Sequence, residues 1–335
     1  MVSPEKNEIK EILDDPSLLL NGDRRALAQA ITLIESSRDD HRDVAEGLLN
    51  KIMPNTGESI RVGISGPPGV GKSTFIEAFG QVVIGHGKKI SVLAVDPSSS
   101  RSGGSILGDR TRMPELSRSK DAFIRPSPSG MALGGVARRT REAMLLCEAA
   151  GFEVIFIETV GVGQSEHAVS DMVDMFILLT QPGGGDDLQG IKRGVVELAD
   201  LVVVTKSDGE LEKVSLQTQA DYAAGLSLLR DKSTFWSPKV LRCSAQSGVG
   251  IEMIWEEIKS FKEKSHKTGD LEAKRRHQSV AWMWREVQSM SILRLKNEAK
   301  LARLSEELEQ AVGQGLIEPG TAARKILNTF FQGQL

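Results

Sequence analysis

Little in this chain could staple it, sink it into a bilayer or hold a soft metal. Two cysteines in 335 residues, Cys147 and Cys243, stand far apart and outside any CxxC spacing, which excludes a disulfide framework and a zinc motif. Both fall in apolar segments, as expected of buried reduced thiols. The five histidines, at 41, 86, 167, 266 and 277, are scattered rather than clustered. No uninterrupted apolar run approaches the ~18 residues of a membrane-spanning helix. The first fifteen residues are rich in Glu, Asp and Lys and contain no apolar signal core, so the sequence reads as cytoplasmic with no evident transit peptide. A formal charge of −3, with acids and bases interspersed, lacks the basic footprint of a nucleic-acid binder. Repeats and low-complexity tracts are also missing. The length exceeds the roughly 100–200 residues usual for one domain, so one large domain with appended helices is expected.

Apolar periodicity supplies that organisation. Residues 23–36 carry Leu27, Ile31 and Ile34 at helical spacing, and Val44, Leu48, Leu49 and Ile52 repeat it before Pro54 and Gly57. This predicts an N-terminal helical arm over 1–57, packed on the following domain or on a second subunit. From residue 58 to 264 the pattern alternates. Strands are expected at 61–65, 90–95, 153–158, 175–180, 201–205 and 239–243, with helices between them. Their nearly continuous apolar character predicts an α/β fold with a mostly parallel sheet covered on both faces. Residues 96–135, dense in Ser, Gly, Pro and Arg, show no clear periodicity and form a candidate switch region. Beyond them, 265–270 reads as a polar linker opening a C-terminal region over 265–335. There 271–312 reads as a long helical stretch with Val280, Met283, Val287, Met290, Leu301, Leu304, Leu308 and Ala311 on a heptad seam. A helix packed on its own domain and a dimer interface both fit that seam. Residues 319–331 predict a short terminal helix.

The sharpest motif is GPPGVGKST at 66–74, which fits the phosphate-loop pattern and lies between an apolar strand and a helix. Gly66, Gly69 and Gly71 let backbone N–H groups close around phosphate oxygens without Cβ clashes, and a helix N-terminus suits an anion. Val70, Lys72, Ser73 and Thr74 complete the lining. Lys72 is suited to reach the β- and γ-phosphates and the Ser73 hydroxyl to bind magnesium.

Each further motif follows a strand end, where ligands bind in such sheets. Glu158-Thr-Val-Gly161 occupies the place of a DxxG element, offering a carboxylate for the metal and the Gly161 N–H for the γ-phosphate. Asp96 and, in a polar loop, Asp109 are additional candidate metal groups, with Lys72, Asp109 and Glu158 as the candidate catalytic set. Magnesium takes few carboxylates directly, so the three acids are not all expected in its inner shell. Thr205-Lys206-Ser207-Asp208 suggests guanine: Asp208 can accept from the imide and exocyclic amine, while the Lys206 stem covers the ring. Ser244, Ala245 and Gln246, after the last strand, fall where a second base-contacting loop is needed. The run of Gln181, Pro182, Gly183, Gly184, Gly185, Asp186 and Asp187, continuing to Lys192, is a loop rich in conformational freedom and a candidate moving element.

Taken together, GPPGVGKST, VDPSS, GDRTRM, RPSPSG with LGGVARRTRE, ETVGVGQSE, QPGGGDDLQGIKRG and TKSD resemble the MeaB/ArgK family, GTPase chaperones of methylmalonyl-CoA mutase. The resemblance covers about residues 21–335. It implies a P-loop GTPase of the signal-recognition and metallochaperone-like class, with GTP/GDP and Mg2+, forming a homodimer through C-terminal helices. The implied partner is an adenosylcobalamin-dependent mutase, protected and loaded with cofactor under control of GTP hydrolysis. Carried over residue by residue, Lys72 and Ser73 match the phosphate-loop lysine and metal serine. Asp96, Asp109 and Glu158 match the acidic metal positions, Asp208 the guanine reader, and 181–192 the additional switch loop. Thr205 stands where the family often has Asn. Two alternatives remain: an ATP-dependent kinase of a transport protein or small substrate, and a nickel-inserting GTPase chaperone, the latter disfavoured by the scattered histidines.

Overall fold

The computed structural model describes residues 15–36, 38–95, 112–126, 133–159, 165–184, 193–229 and 233–332. Within them a seven-stranded sheet, every pairing parallel, runs in the order β3-β2-β4-β1-β5-β6-β7. The strands are β1 Ile60–Ser65, β2 Ile90–Val95, β3 Ala122–Arg125, β4 Val154–Thr159, β5 Met175–Thr180, β6 Leu201–Val204 and β7 Lys239–Arg242. The helices are α1 Ser17–Leu20, α2 Arg24–Glu35, α3 Asp39–Ile52, α4 Lys72–Gly85, α5 Pro114–Arg118, α6 Leu133–Ala149 and α7 Ser165–Ser170. They continue as α8 Arg193–Val196, α9 Glu212–Ser227, α10 Ile251–Thr268, α11 Asp270–Asn297, α12 Ala299–Gly313 and α13 Pro319–Gln332.

Strand β1 lies at the centre, and all six of its residues are buried, as expected of a strand covered on both faces. Its alternate residues serve different layers. Val62 and Ile64 join Phe75, Phe79, Phe156, Trp255 and Ile258 in the main core under α4 and α10. Phe79 anchors that layer, its ring centroid 5.4 Å from Phe75 and 5.3 Å from Phe156. On the other face Arg61 meets α6, where Glu148 accepts two bonds from its guanidinium at 2.8 and 2.9 Å. The same carboxylate accepts from the Gly57 N–H at 3.1 Å and from the Ser59 hydroxyl. This buried, fully bonded pair fixes the amino end of β1, leaving the carboxyl end for chemistry.

The N-terminal arm packs on its own nucleotide domain. Asp23 caps α2 through the Ala26 N–H at 2.8 Å, and α2 and α3 lie against α6. Arg125 of β3 pairs with Glu35, and the Arg139 guanidinium donates to the Ser36 carbonyl at 2.7 Å.

Two expectations need correction. Residues 96–135 are not loop throughout: α5, β3 and the start of α6 fall there, because Ala122-Phe-Ile-Arg125 is a four-residue edge strand too short to show a period. The polar stretch 265–270 is not a linker. Helix α10 runs to Thr268, Gly269 closes it at φ 76°, and α11 begins at Asp270. The helical stretch 271–312 is divided at Glu298, with ψ 108°, into α11 and α12.

The chain separates into two compact units, Met1–Glu272 and Ala273–Leu335. In the second, Leu301, Leu308 and Ala322 are buried, whereas Val280, Met283, Trp284, Val287 and Met290 of α11 are about half exposed. The heptad seam is therefore split: its α11 positions are exposed, whereas in α12 Leu301 and Leu308 are buried and Leu304 and Ala311 half-buried. Among the described residues no helix is long and apolar enough to cross a membrane.

Candidate nucleotide site

The site lies beyond the carboxyl ends of β1, β4, β5, β6 and β7. Between Ser65 and Lys72 the chain turns through Gly66 at φ 159°, Gly69 at φ 81° and Gly71 at φ 92°. At Gly66 the constraint is also spatial: a Cβ there would fall 2.6 Å from the Leu179 carbonyl oxygen. The loop is thus pressed on the tip of β5 and only glycine fits. Gly71 then precedes α4, whose first residues are Lys72 and Ser73.

Lys72 Nζ donates to the Gly66 carbonyl at 2.8 Å and to the Pro67 carbonyl at 3.3 Å. Its ammonium thus reaches back across the mouth of the cradle. Ser73 Oγ lies 3.4 Å from Glu158 Oε1, so a hydroxyl of the phosphate loop and a carboxylate of β4 face one another. In the register of the sheet Glu158 stands opposite both Ile64 and Ala94, near the tips of three adjacent strands. A hydroxyl and one carboxylate beside a phosphate cradle form a donor set that fits magnesium, which keeps several waters and takes phosphate oxygens. Val70 is buried, while Gly69 and Thr74 are exposed.

The base-side elements converge on the same loop. Lys206 is the one non-glycine residue with positive φ among the described residues, at 53°. That uncommon backbone turns its stem over the phosphate loop, placing Nζ 2.7 Å from the Gly69 carbonyl. Asp208 follows, half-buried, at the start of a short 3-10 turn over Gly209–Leu211. The Ser207 N–H donates to the Cys243 carbonyl at 3.0 Å, which locks the loop after β6 to the loop after β7. There Ser244 is buried and its hydroxyl accepts from the Ser247 N–H at 3.2 Å, with Ala245 half-buried and Gln246 exposed. Gly250 closes this turn at φ 79°, where a Cβ would fall 2.1 Å from the Arg242 carbonyl oxygen.

Sequence reasoning did not anticipate two features. The Thr205 hydroxyl is buried and donates to the Val70 carbonyl at 2.8 Å and the Thr180 carbonyl at 3.1 Å, so its partners are the phosphate loop and β5. Behind the β1 tip, Thr159 donates to Ser65 Oγ at 2.8 Å, and Ser65 reaches Glu166 Oε1 at 3.5 Å. A serine ending an otherwise apolar strand was the available signal for that second cluster. Of the switch loop, Gln181 and Gly183 are exposed and Gly184 half-buried. The expectations for Asp96, Asp109, Gly161, Gly185, Asp186, Asp187 and Lys192 lie outside the described residues. Burial pushes the nearby Cys243 thiol up to about 12.

A parallel sheet carrying a phosphate loop on its central strand and a TKxD element two strands away defines a P-loop GTPase fold. Comparison with known proteins then gives the family. Residues 27–300 match the family described as methylmalonyl Co-A mutase-associated GTPase MeaB, and the chain belongs to it. It is 50% identical to the mitochondrial methylmalonic aciduria type A homolog of Mus musculus, over 93% of this chain and 78% of the mouse protein. It is 47% identical to the GTPase ArgK of Escherichia coli strain K12, over 94% of this chain and 95% of that one. The crystal structure of an LAO/AO transport system kinase superposes with a TM-score of 0.74 at 38% identity, covering 99% of both chains.

Proposed function

We propose that this protein binds GTP with magnesium and hydrolyses it to GDP and phosphate. In this reading the cycle protects an adenosylcobalamin-dependent acyl-CoA mutase and gates its cofactor loading, with methylmalonyl-CoA mutase the first partner to test. The observation that carries the reading is the convergence of Lys72, Ser73 and Glu158 at one end of β1, beside a base-side loop bearing Asp208. The choice of mutase rests on membership of the MeaB family.

The chain's own groups divide the work. Backbone N–H groups of 69–74 orient the phosphates at the start of α4, and Lys72 exchanges its two carbonyl partners for phosphate oxygens. Ser73 and Glu158 hold magnesium, which when bound offsets negative charge on the phosphates. Asp208 accepts two hydrogen bonds from guanine, while the Lys206 stem covers the ring. Asp96, Asp109 and Gly161 complete the metal and γ-phosphate contacts in this proposal, and Gly183 to Lys192 with Gln181 reports nucleotide state to the mutase. Slow intrinsic hydrolysis is expected, because P-loop enzymes commonly rely on a partner to position reacting groups.

Single-turnover GTP hydrolysis with and without the cobalamin mutase tests this. Absence of GTP binding, together with a rate indifferent to the mutase, would refute it. The 38% identity to an LAO/AO transport system kinase favours a second reading, an ATP-dependent kinase. Tighter binding of ATP than of GTP, unchanged in Asp208→Ala, would establish that reading instead.

The domain division 1–57, 58–264 and 265–335 belongs to the same proposal, as does homodimerisation over the exposed apolar stripe of α11. A cytoplasmic site of action is part of it too, to be checked by fractionation. Sedimentation of a Met283→Glu, Val287→Glu double variant tests the dimer. A wild-type monomer at micromolar concentration would sink it.

A further inference from the structure

Tyr222 is the chain's single tyrosine, buried on α9, and no role in binding or hydrolysis requires it. Its surroundings nonetheless join the phosphate loop to both described ends of the Gly-rich segment that follows β5. Thr180, the last residue of β5, donates its hydroxyl to the Tyr222 phenol oxygen at 3.3 Å. Tyr222 in turn donates to the Gly184 carbonyl at 3.4 Å. One helical turn earlier on the same face of α9, Thr218 Oγ1 accepts from the Gly183 N–H at 2.9 Å. Two consecutive residues of the segment are therefore held by two consecutive turns of α9. Downstream, the ring packs with Val196 of α8 and with Leu178 and Val202 in a small core of its own.

On the nucleotide side, the Thr180 carbonyl accepts from Thr205, whose hydroxyl also holds Val70 of the phosphate loop. A cavity of about 10 Å³ lies between Pro67, Thr180, Val196 and Tyr222. That is at the lower limit for a single water, so small movements of the phosphate loop have little slack to absorb them before reaching the ring.

We propose that Tyr222 is the positioning residue through which occupancy of the phosphate loop is coupled to the ends of the Gly-rich segment. The proposal rests on the reading of 66–74 as a GTP site. Tyr222 touches neither nucleotide nor metal in this scheme. Its hydroxyl links a strand tip that borders the phosphate loop to the Gly184 carbonyl, and its ring packs with Val196 of α8. Removing the hydroxyl should leave nucleotide affinity almost unchanged while erasing the segment's response to which nucleotide is bound.

A single tyrosine makes this directly measurable. Full-length protein labelled with 3-fluorotyrosine keeps the hydroxyl and gives one 19F resonance. Distinct chemical shifts are expected with magnesium and GDP and with magnesium and a non-hydrolysable GTP analogue. Identical shifts in a sample shown to bind both nucleotides would overturn the coupling while leaving the GTPase reading intact. Failure to bind either nucleotide would overturn both. Hydrogen exchange then reads the second arm. In the wild type, amides of 181–184 and 193–196 should exchange with rates differing by roughly 5-fold or more between the two nucleotide states, the scale of one hydrogen bond's contribution. Tyr222→Phe should reduce that ratio to under about 2-fold while changing GDP and GTP affinities by less than about 2-fold. A purely structural role would instead raise exchange equally in both states and preserve their ratio, refuting the proposal. Thr218→Val, which removes the neighbouring anchor, should weaken the ratio in the same direction. Should Tyr222→Phe fold poorly, the fluorotyrosine result decides alone.

Discussion

Replacing Thr205 by Val separates two roles that a TKxD element could have. The side chains are nearly isosteric, so the substitution removes one hydroxyl and introduces one methyl at a buried position. That hydroxyl bonds the Val70 carbonyl at 2.8 Å and the Thr180 carbonyl at 3.1 Å. The Thr180 carbonyl also accepts from the Thr205 N–H at 2.8 Å and so keeps a partner. Val70 lies inside the phosphate loop, and its carbonyl loses the hydroxyl's contribution in a buried setting. Leaving such a group poorly satisfied costs about 1–3 kcal/mol. If half of that is expressed as loosening of the phosphate cradle, nucleotide affinity should fall by ~2- to 13-fold. Because the proposal has the loop hold phosphates, the loss should be the same for GTP, GDP and ITP, which lacks the exocyclic amine. Thr205→Ser retains the hydroxyl and should lie near wild type. Isothermal titration with the three nucleotides is the assay. A loss confined to GTP and GDP, with ITP unaffected, would mean that Thr205 reads the base, and the loop-pinning argument would fail.

Asp208→Asn replaces an acceptor by a mixed donor and acceptor, so GTP affinity should fall ~100-fold while xanthosine triphosphate, carrying a 2-oxo group, should gain; competition binding decides. Glu148→Gln leaves Arg61 without its buried counter-charge and should cost about 3–5 kcal/mol, lowering Tm by roughly 10 °C in a thermal melt, with GTP turnover at the far end of β1 retained. Burial pushes the thiols of Cys147 and Cys243 up to about 12, above an ordinary value of 9.0. Both should therefore resist a disulfide reagent in the native protein and react promptly in guanidinium. Because the folded state keeps these protons longer than the unfolded chain, stability should fall as pH rises through 9 towards 12, which chemical denaturation at stepped pH would detect. Fast native labelling would contradict the burial of these two side chains.

How far the fold could be read depended on length and repetition. Six of the seven strands announce themselves as apolar runs between turn-forming residues, and the phosphate loop between β1 and α4 fixes the direction of the sheet. Strand β3 escapes because four residues bounded by Asp121 and Pro126 show no period, and its place beside β2 is a matter of long-range pairing. The stretch 265–270 reads as linker because Ser, His, Thr, Gly and Asp are weak helix formers, yet α10 runs through Thr268 until Gly269 supplies the left-handed stop. The heptad seam misleads differently. Period alone identifies apolar faces but cannot say which is covered, so Val280 and Leu308 look equivalent in sequence and differ by 54% against 8% exposure.

The site shows the same division between chemistry and connection. The groups suited to phosphate, metal and base are named by short motifs, because each chemistry demands particular residue types at fixed spacing. What joins them is not. Thr205 and Val70 are 135 residues apart, and nothing local marks their contact. Two lysines make the consequence plain. Lys72 and Lys206 both donate to carbonyls of the phosphate loop, at 2.8 and 2.7 Å, and the proposed function puts them to opposite service. In that proposal Lys72 exchanges the Gly66 and Pro67 carbonyls for phosphate oxygens, so nucleotide affinity is what remains after those bonds are lost. In the same proposal Lys206 keeps the Gly69 carbonyl while its stem covers the base, so its bond is expected to hold the loop in shape in both states. On the proposed function, removing the first ammonium should therefore act on the nucleotide's phosphates, whereas removing the second should act on the loop that receives them.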